Sequence, residues 1–106
     1  MHVLAHAALV KAAPSARAVV DTPPRVDLWF NERLEPAYST VSVWDKGGVQ
    51  VDRKDVVIGA DDPKRLSVGV TPLRPGSYTV RYRVLSVDGH VIESSFTFTV
   101  RSRGGQ

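Results

Sequence analysis

The amino-acid sequence predicts an all-β fold, an antiparallel sandwich or barrel of about seven short strands. Three observations predict it. Apolar residues recur at every second position over several short segments, the pattern of strands with one buried face. Turn signals built on Gly, Pro and Asp separate these segments at regular intervals. Helical periodicity is poor throughout, and the 7 prolines fall at turns or strand ends, where a sheet tolerates them.

The elements follow in order. Val3-Leu4-Ala5 before His6 resembles the last residues of a signal peptide, but a charged start and a long apolar core are missing. Residues 1–5 are therefore read as a residual signal-peptide segment or a short disordered extension. Ala7 to Ala18 is rich in alanine, yet Pro14 interrupts it and Val19-Val20 looks strand-like. Val26, Leu28 and Phe30 alternate with Arg25, Asp27 and Trp29 and predict a strand. One helical turn is expected near Leu34-Glu35-Pro36. Val41 and Val43 predict a strand over Thr40 to Trp44, Lys46-Gly47-Gly48 a turn, and Val49 and Val51 a resumed alternation beyond it. Asp61-Asp62 before Pro63 reads as a solvated turn in preference to a hard-cation site. Leu66, Val68 and Val70 predict a strand closed by Thr71-Pro72, and Pro75-Gly76 the next turn. In the two clearest strands, Tyr78, Val80, Tyr82 and Val84 share one face, and Ile92, Ser94, Phe96, Phe98 and Val100 share another. Trp29 and Trp44 fall on the polar phase of their strands and are expected to pack beneath loops. Arg101 to Gln106 is a polar, Gly-containing tail, expected to be disordered.

At 106 residues the chain suits a single core, which places one domain over residues 6–100. With 42% hydrophobic and 24% charged residues the composition is globular. A net charge of +3 invites a nucleic-acid reading, but the Lys and Arg residues are scattered and form no stripe, so no nucleic-acid partner is predicted. No apolar run approaches the ~20 residues of a spanning helix, so direct membrane insertion is not expected. The absence of cysteine removes disulfides and thiolate ligands. No nucleophile elbow is present, Gly47-Gly48 lacks the Lys-Ser/Thr of a phosphate loop, and Glu32 and Asp88 have no fixed separation. The chain is not read as an enzyme.

One segment carries candidate chemistry. In Ser86-Val87-Asp88-Gly89-His90 a carboxylate and an imidazole stand two residues apart, and in an extended chain both would project from one face toward one metal ion. Asp-Gly is equally a strong hairpin-turn signal, and alternating strands lie on both sides. On these residues alone both readings stand, and they need not compete, because a hairpin can present both side chains toward the N-terminus.

The order of motifs along the chain bears on whether the pair is a site. His6-Ala7-Ala8-Leu9-Val10, Ala13-Pro14 and Pro23-Pro24-Arg25-Val26-Asp27-Leu28, leading to Phe30-Asn31-Glu32, resemble the opening of the CopC family of periplasmic copper-binding proteins. Leu73-Arg74-Pro75-Gly76-Ser77-Tyr78-Thr79-Val80, then Val84 to His90, then Phe96 to Val100, resemble its closing half. The resemblance runs from His6 to about Val100. It implies a Greek-key β-sandwich, immunoglobulin-like and cupredoxin-like, with a single Cu(II) site at one end. It implies His6 as a ligand through its freed amine and imidazole, Asp88 and His90 as the other ligands, and Glu32 as a nearby carboxylate. It also implies a periplasmic monomer that sequesters or delivers copper or confers resistance, with a CopD-like inner-membrane copper transporter as partner. The donor set agrees: amine, imidazole and carboxylate suit tetragonal Cu(II), which the Irving–Williams order favours over Zn(II).

Three departures qualify the resemblance. The only methionine is Met1, so the Met-rich Cu(I) site of many relatives has no counterpart and the chain reads as a Cu(II)-only type. Tyr82 stands where a Trp is expected, and Glu93 where small residues are common. Five residues precede His6, so its amine is a ligand only if residues 1–5 are removed; otherwise His2 with the Met1 amine competes. Two alternatives stay open, a metal-free immunoglobulin-like interaction module and a copper monooxygenase-like enzyme.

Overall fold

The computed structural model describes residues 8–102, and its strands follow the apolar phases of the sequence. They are β1 (Leu9–Ala13), β2 (Val19–Val20), β3 (Arg25–Phe30), β4 (Thr40–Asp45), β5 (Val57–Ile58), β6 (Arg65–Gly69), β7 (Gly76–Leu85) and β8 (Val91–Val100), with one 3-10 turn at Pro36–Tyr38. Two four-stranded sheets, ordered β1-β3-β6-β5 and β2-β8-β7-β4, form an immunoglobulin-like sandwich. The predicted fold class is the observed one.

The first strand is divided, which brings the number of strands to eight. β1 pairs with β3, and the chain then leaves that sheet at Pro14, which has no N–H to offer a ladder. It joins the other sheet as β2, pairing in parallel with β8, the one parallel pairing among the described strands.

The core lies between the sheets. Val26, Leu28 and Phe30 of β3, Val41 and Val43 of β4, and Leu66 and Val68 of β6 are buried, as their alternation predicts. Tyr78, Val80, Tyr82 and Val84 of β7 and Phe98 and Val100 of β8 close it from the second sheet. Each such aliphatic or aromatic side chain contributes about 1.5–3 kcal/mol when fully removed from water. Phe30 meets Tyr82 edge-on with centroids 5.6 Å apart, and Tyr78 stacks on Phe98 at the same 5.6 Å.

Three expectations are corrected. Val49 to Val51 forms no strand: Val51 N–H reaches the Val43 carbonyl, but the Val43 N–H is taken by the buried Asp52 carboxylate at 2.8 Å. A side chain replaces the ladder there. Trp29 and Trp44 do not sit beneath loops. On the outer faces of the sheets, Lys11 Nζ lies 4.6 Å from the Trp29 ring centroid, and the Arg81 guanidinium lies 5.1 Å from that of Trp44. Finally, Arg101 is tied down. Its N–H donates to the Val20 carbonyl at 2.8 Å and its side chain to the Val19 carbonyl at 2.9 Å, with Asp21 3.3 Å away. Residues 103–106 of the same tail, like residues 1–7, lie outside the described residues. The Asp61-Asp62 turn is as predicted, with Asp62 accepting the Lys64 N–H at 3.0 Å and Asp61 pairing with Arg65 at 3.2 Å.

Pairing places the ends of several strands together. Leu9 pairs with Phe30 in one sheet and Leu85 with Val91 in the other, and Leu34, after β3, bridges Ser86, after β7, so the start of β1, the end of β3 and the β7–β8 hairpin share one end of the sandwich.

Candidate metal centre

The β7–β8 hairpin forms this end because its residues carry turn chemistry. Ser at the first and Gly at the fourth position are the preferences of a type I turn, and Ser86-Val87-Asp88-Gly89 satisfies both. Gly89 N–H donates to the Ser86 carbonyl at 2.9 Å, and Ser86 N–H donates to the His90 carbonyl at 2.9 Å. Gly89 has φ +93°, a conformation that glycine reaches without cost to a side chain.

This turn brings Asp88 and His90 together. The His90 Nδ1 lies 3.1 Å from Asp88 Oδ1, and both side chains are about one-third exposed, at 34% and 33%. The pairing arises from the chain reversal and not from the alternation of an extended strand, so the two sequence readings describe one object. The Ser86 hydroxyl, beneath the turn and fully buried, donates to the same Asp88 oxygen. The Asp88 carboxyl is held below its ordinary pKa, first by the Ser86 hydroxyl, against a smaller opposing push from desolvation, and further by His90.

The neighbouring loop is built against this hairpin. Val87 N–H donates to the Arg33 carbonyl at 2.9 Å, Glu35 N–H to the Leu85 carbonyl at 2.8 Å, and Leu34 bridges Ser86. Glu32 is half-buried in that loop, adjacent to Arg33. It does not join Asp88 and His90 in a three-donor cluster; among the described residues no such group occurs. The start of the described chain is fastened at the same place. Ala8 N–H donates to Asn31 Oδ1 at 2.7 Å, and Asn31 N–H donates to the Ala8 carbonyl at 3.1 Å. His6 and His2 lie outside the described residues. Ser86 and Asn31 were given no role by the sequence reading. The Ser-x-Asp-Gly turn signature would have singled out Ser86, whereas no local signal marks Asn31, whose partner is 23 residues away.

One imidazole and one carboxylate at a fixed turn are the right chemistry for a Cu(II) or Zn(II) site, but supply two of its donors. Residues 9–101 match the CopC domain model. The chain belongs to the CopC family. The crystal structure of CopC from Methylosinus trichosporium OB3b superposes with a TM-score of 0.87 at 40% identity, covering 95% of this chain and 99% of that one. PcoC from Escherichia coli, a methionine-rich copper resistance protein, gives a TM-score of 0.80 at 33% identity over 92% of this chain and 100% of its own. Protein YobA of Escherichia coli K12 is 34% identical over 101 residues, 93% of this chain and 82% of that protein. This CopC protein is thus a copper resistance or copper-binding protein, and the family is non-enzymatic.

Proposed function

We propose that this CopC protein binds one Cu(II) ion in the periplasm through the amine and imidazole of His6, the Asp88 carboxylate and the His90 imidazole. Copper is its cargo, taken up for sequestration and for delivery to a CopD-like inner-membrane transporter. The observation that carries the reading is the shared position of the Asp88–His90 turn and Ala8. Ala8 is fastened to Asn31 beside the loop that pairs with Val87. Two residues of chain reach at most ~7 Å, so a chain starting at His6 has its first residue within a short span of that anchor. An N-terminal histidine chelates through two nitrogens on one residue, which limits the ordering entropy of completing the site. Glu32, in the adjoining loop, is assigned as a carboxylate that orients the ligands without binding the metal.

The oxidation state follows from donor softness. Cu(I) favours thiolates and thioethers; the chain has no cysteine and a single methionine, Met1. Nitrogen and carboxylate donors leave Cu(II) as the suited form. The deciding experiment is a competitive Cu(II) titration of the chain beginning at His6. One equivalent is expected to bind with a tetragonal nitrogen–oxygen EPR spectrum, and His90→Ala should weaken binding at least tenfold. Absence of binding, or binding unchanged by His90→Ala, would sink the reading. Retaining residues 1–5 should also weaken binding, because the His6 amine is then an amide.

A further inference from the structure

We infer that Ser86 is the positioning residue of this centre, fixing the Asp88 carboxylate and the His90 main chain so that both side chains meet one metal ion. The inference rests on the copper reading above. Ser86 is fully buried, and each of its polar groups is engaged within the hairpin. Its N–H donates to the His90 carbonyl at 2.9 Å and its carbonyl accepts from Gly89 N–H at 2.9 Å. Its hydroxyl oxygen accepts from His90 N–H at 3.3 Å and donates to Asp88 Oδ1.

A serine hydroxyl has one proton to give. Two acceptors lie within reach, Asp88 Oδ1 and, at 3.4 Å, the His90 carbonyl. The carboxylate wins, because a bond to an ionised acceptor is shorter and stronger than one to a carbonyl at the limit of hydrogen-bond range. With the proton spent on Asp88, a lone pair is turned to the His90 N–H. One buried oxygen therefore ties the side chain of one ligand to the backbone of the other. Asp88 Oδ1 also meets His90 Nδ1 at 3.1 Å, so each of the three residues contacts the other two. A carboxylate at a hairpin tip would otherwise sample several rotamers. Holding it beforehand removes that ordering from the cost of binding metal.

The turn itself does not need the hydroxyl. Both of its closing hydrogen bonds are made by the Ser86 backbone. Ser86→Ala should therefore keep the hairpin and release only the ligands, and Ser86→Thr should restore the hydroxyl. In the metal-free wild-type chain beginning at His6, NMR should resolve the Ser86 hydroxyl proton in slow exchange and find one χ1 rotamer for Asp88. Ser86→Ala should average that rotamer, raise the Cu(II) dissociation constant about tenfold or more, and alter the copper hyperfine splitting. Ser86→Thr should bring both back toward wild type. A wild-type chain whose Ser86 hydroxyl exchanges freely and whose Asp88 rotamer is averaged would overturn the inference without any variant. So would Cu(II) affinity within twofold of wild type and an unchanged spectrum in Ser86→Ala. If the wild type binds no Cu(II), the copper reading fails and the role in metal binding fails with it. That outcome is distinct from wild-type binding that ignores Ser86.

Discussion

Gly89 is the residue on which the geometry of the Asp88–His90 pair turns. Its φ of +93° lets the chain reverse after Asp88 and aim His90 back at it, and a Cβ placed there would meet nothing within 4 Å. A side chain at this position is therefore opposed by backbone conformation alone and not by a clash. Gly89→Ala should cost about 1–2 kcal/mol, read as a lower urea midpoint with an unchanged slope. A stability equal to wild type would show that the turn relaxes to another form. The Asp88–His90 pair was legible in the sequence because both residues and their turn signal lie within five consecutive positions, Ser86 to His90. Of the two origins the sequence offers, strand alternation and the Asp-Gly turn, the turn is the one that brings the side chains together. The placement of Ala8 beside that turn was not legible, because it depends on Asn31 and on the Arg33–Val87 hydrogen bond, contacts between segments far apart in sequence. No local pattern encodes such pairings; they follow only once the sheets have formed.

Among the elements, β3, β4 and β7 were legible because each alternates with one phase buried. β6 and β8 were legible because their apolar residues keep to one phase, although Ser67 on the other phase of β6 is also buried and Ser94 on the apolar phase of β8 is exposed. β1 was not, and its register explains why. An irregularity between Leu9 and Lys11 shifts the phase, so Leu9 and Ala12, three residues apart, become the partly buried ones. That spacing, in an alanine-rich segment, imitates a helix. β5 has only two residues, Val57 and Ile58, too few to show a period. The failed strand at Val49 to Val51 has a cause in Asp52. Its carboxylate accepts from Val43 N–H at 2.8 Å, from the Gln50 side chain at 2.9 Å and from Lys54 N–H at 2.9 Å, inside a buried site. The segment thereby caps the edge of β4 without pairing regularly with it, which also protects that edge from other chains. Asp52→Ala leaves the buried Val43 N–H without an acceptor and should cost about 2–3 kcal/mol. Asp52→Asn, which keeps one acceptor oxygen, should cost less. Urea unfolding gives the difference, and faster hydrogen exchange at Val43 in the alanine variant would localise it; equal stability of both variants with wild type would show the carboxylate to be dispensable.

For the molecule as a whole, the two ends of the sandwich divide the work. One end carries the hairpin with Asp88 and His90; the other is closed by the loop leading into β7, and there Tyr78 is the fastening. Tyr78 is buried, stacks on Phe98 and donates its hydroxyl to the Arg74 carbonyl at 2.5 Å, the tie that immunoglobulin-like sandwiches make at this corner. Its pKa is raised above the ordinary 10.0, first by burial and then by the negative charge of Asp45, its cross-strand neighbour. The sign of the consequence is fixed by linkage. Because the folded pKa lies above the unfolded one, the native state holds this proton more tightly. The contribution is complete below pH 10.0 and is lost as pH rises from there through the folded pKa. Tyr78→Phe removes both the hydrogen bond and the titration. Near pH 7 it should destabilise the metal-free protein by about 1 kcal/mol, the usual net value of such a bond. Above about pH 10 the wild type should lose stability faster than the variant, so the gap between them narrows. Urea unfolding of both proteins at a series of pH values measures that gap directly. A gap that stays constant into the alkaline range would mean that Tyr78 ionises alike in the folded and unfolded chains, and that its burial does not govern how this end of the sandwich responds to base.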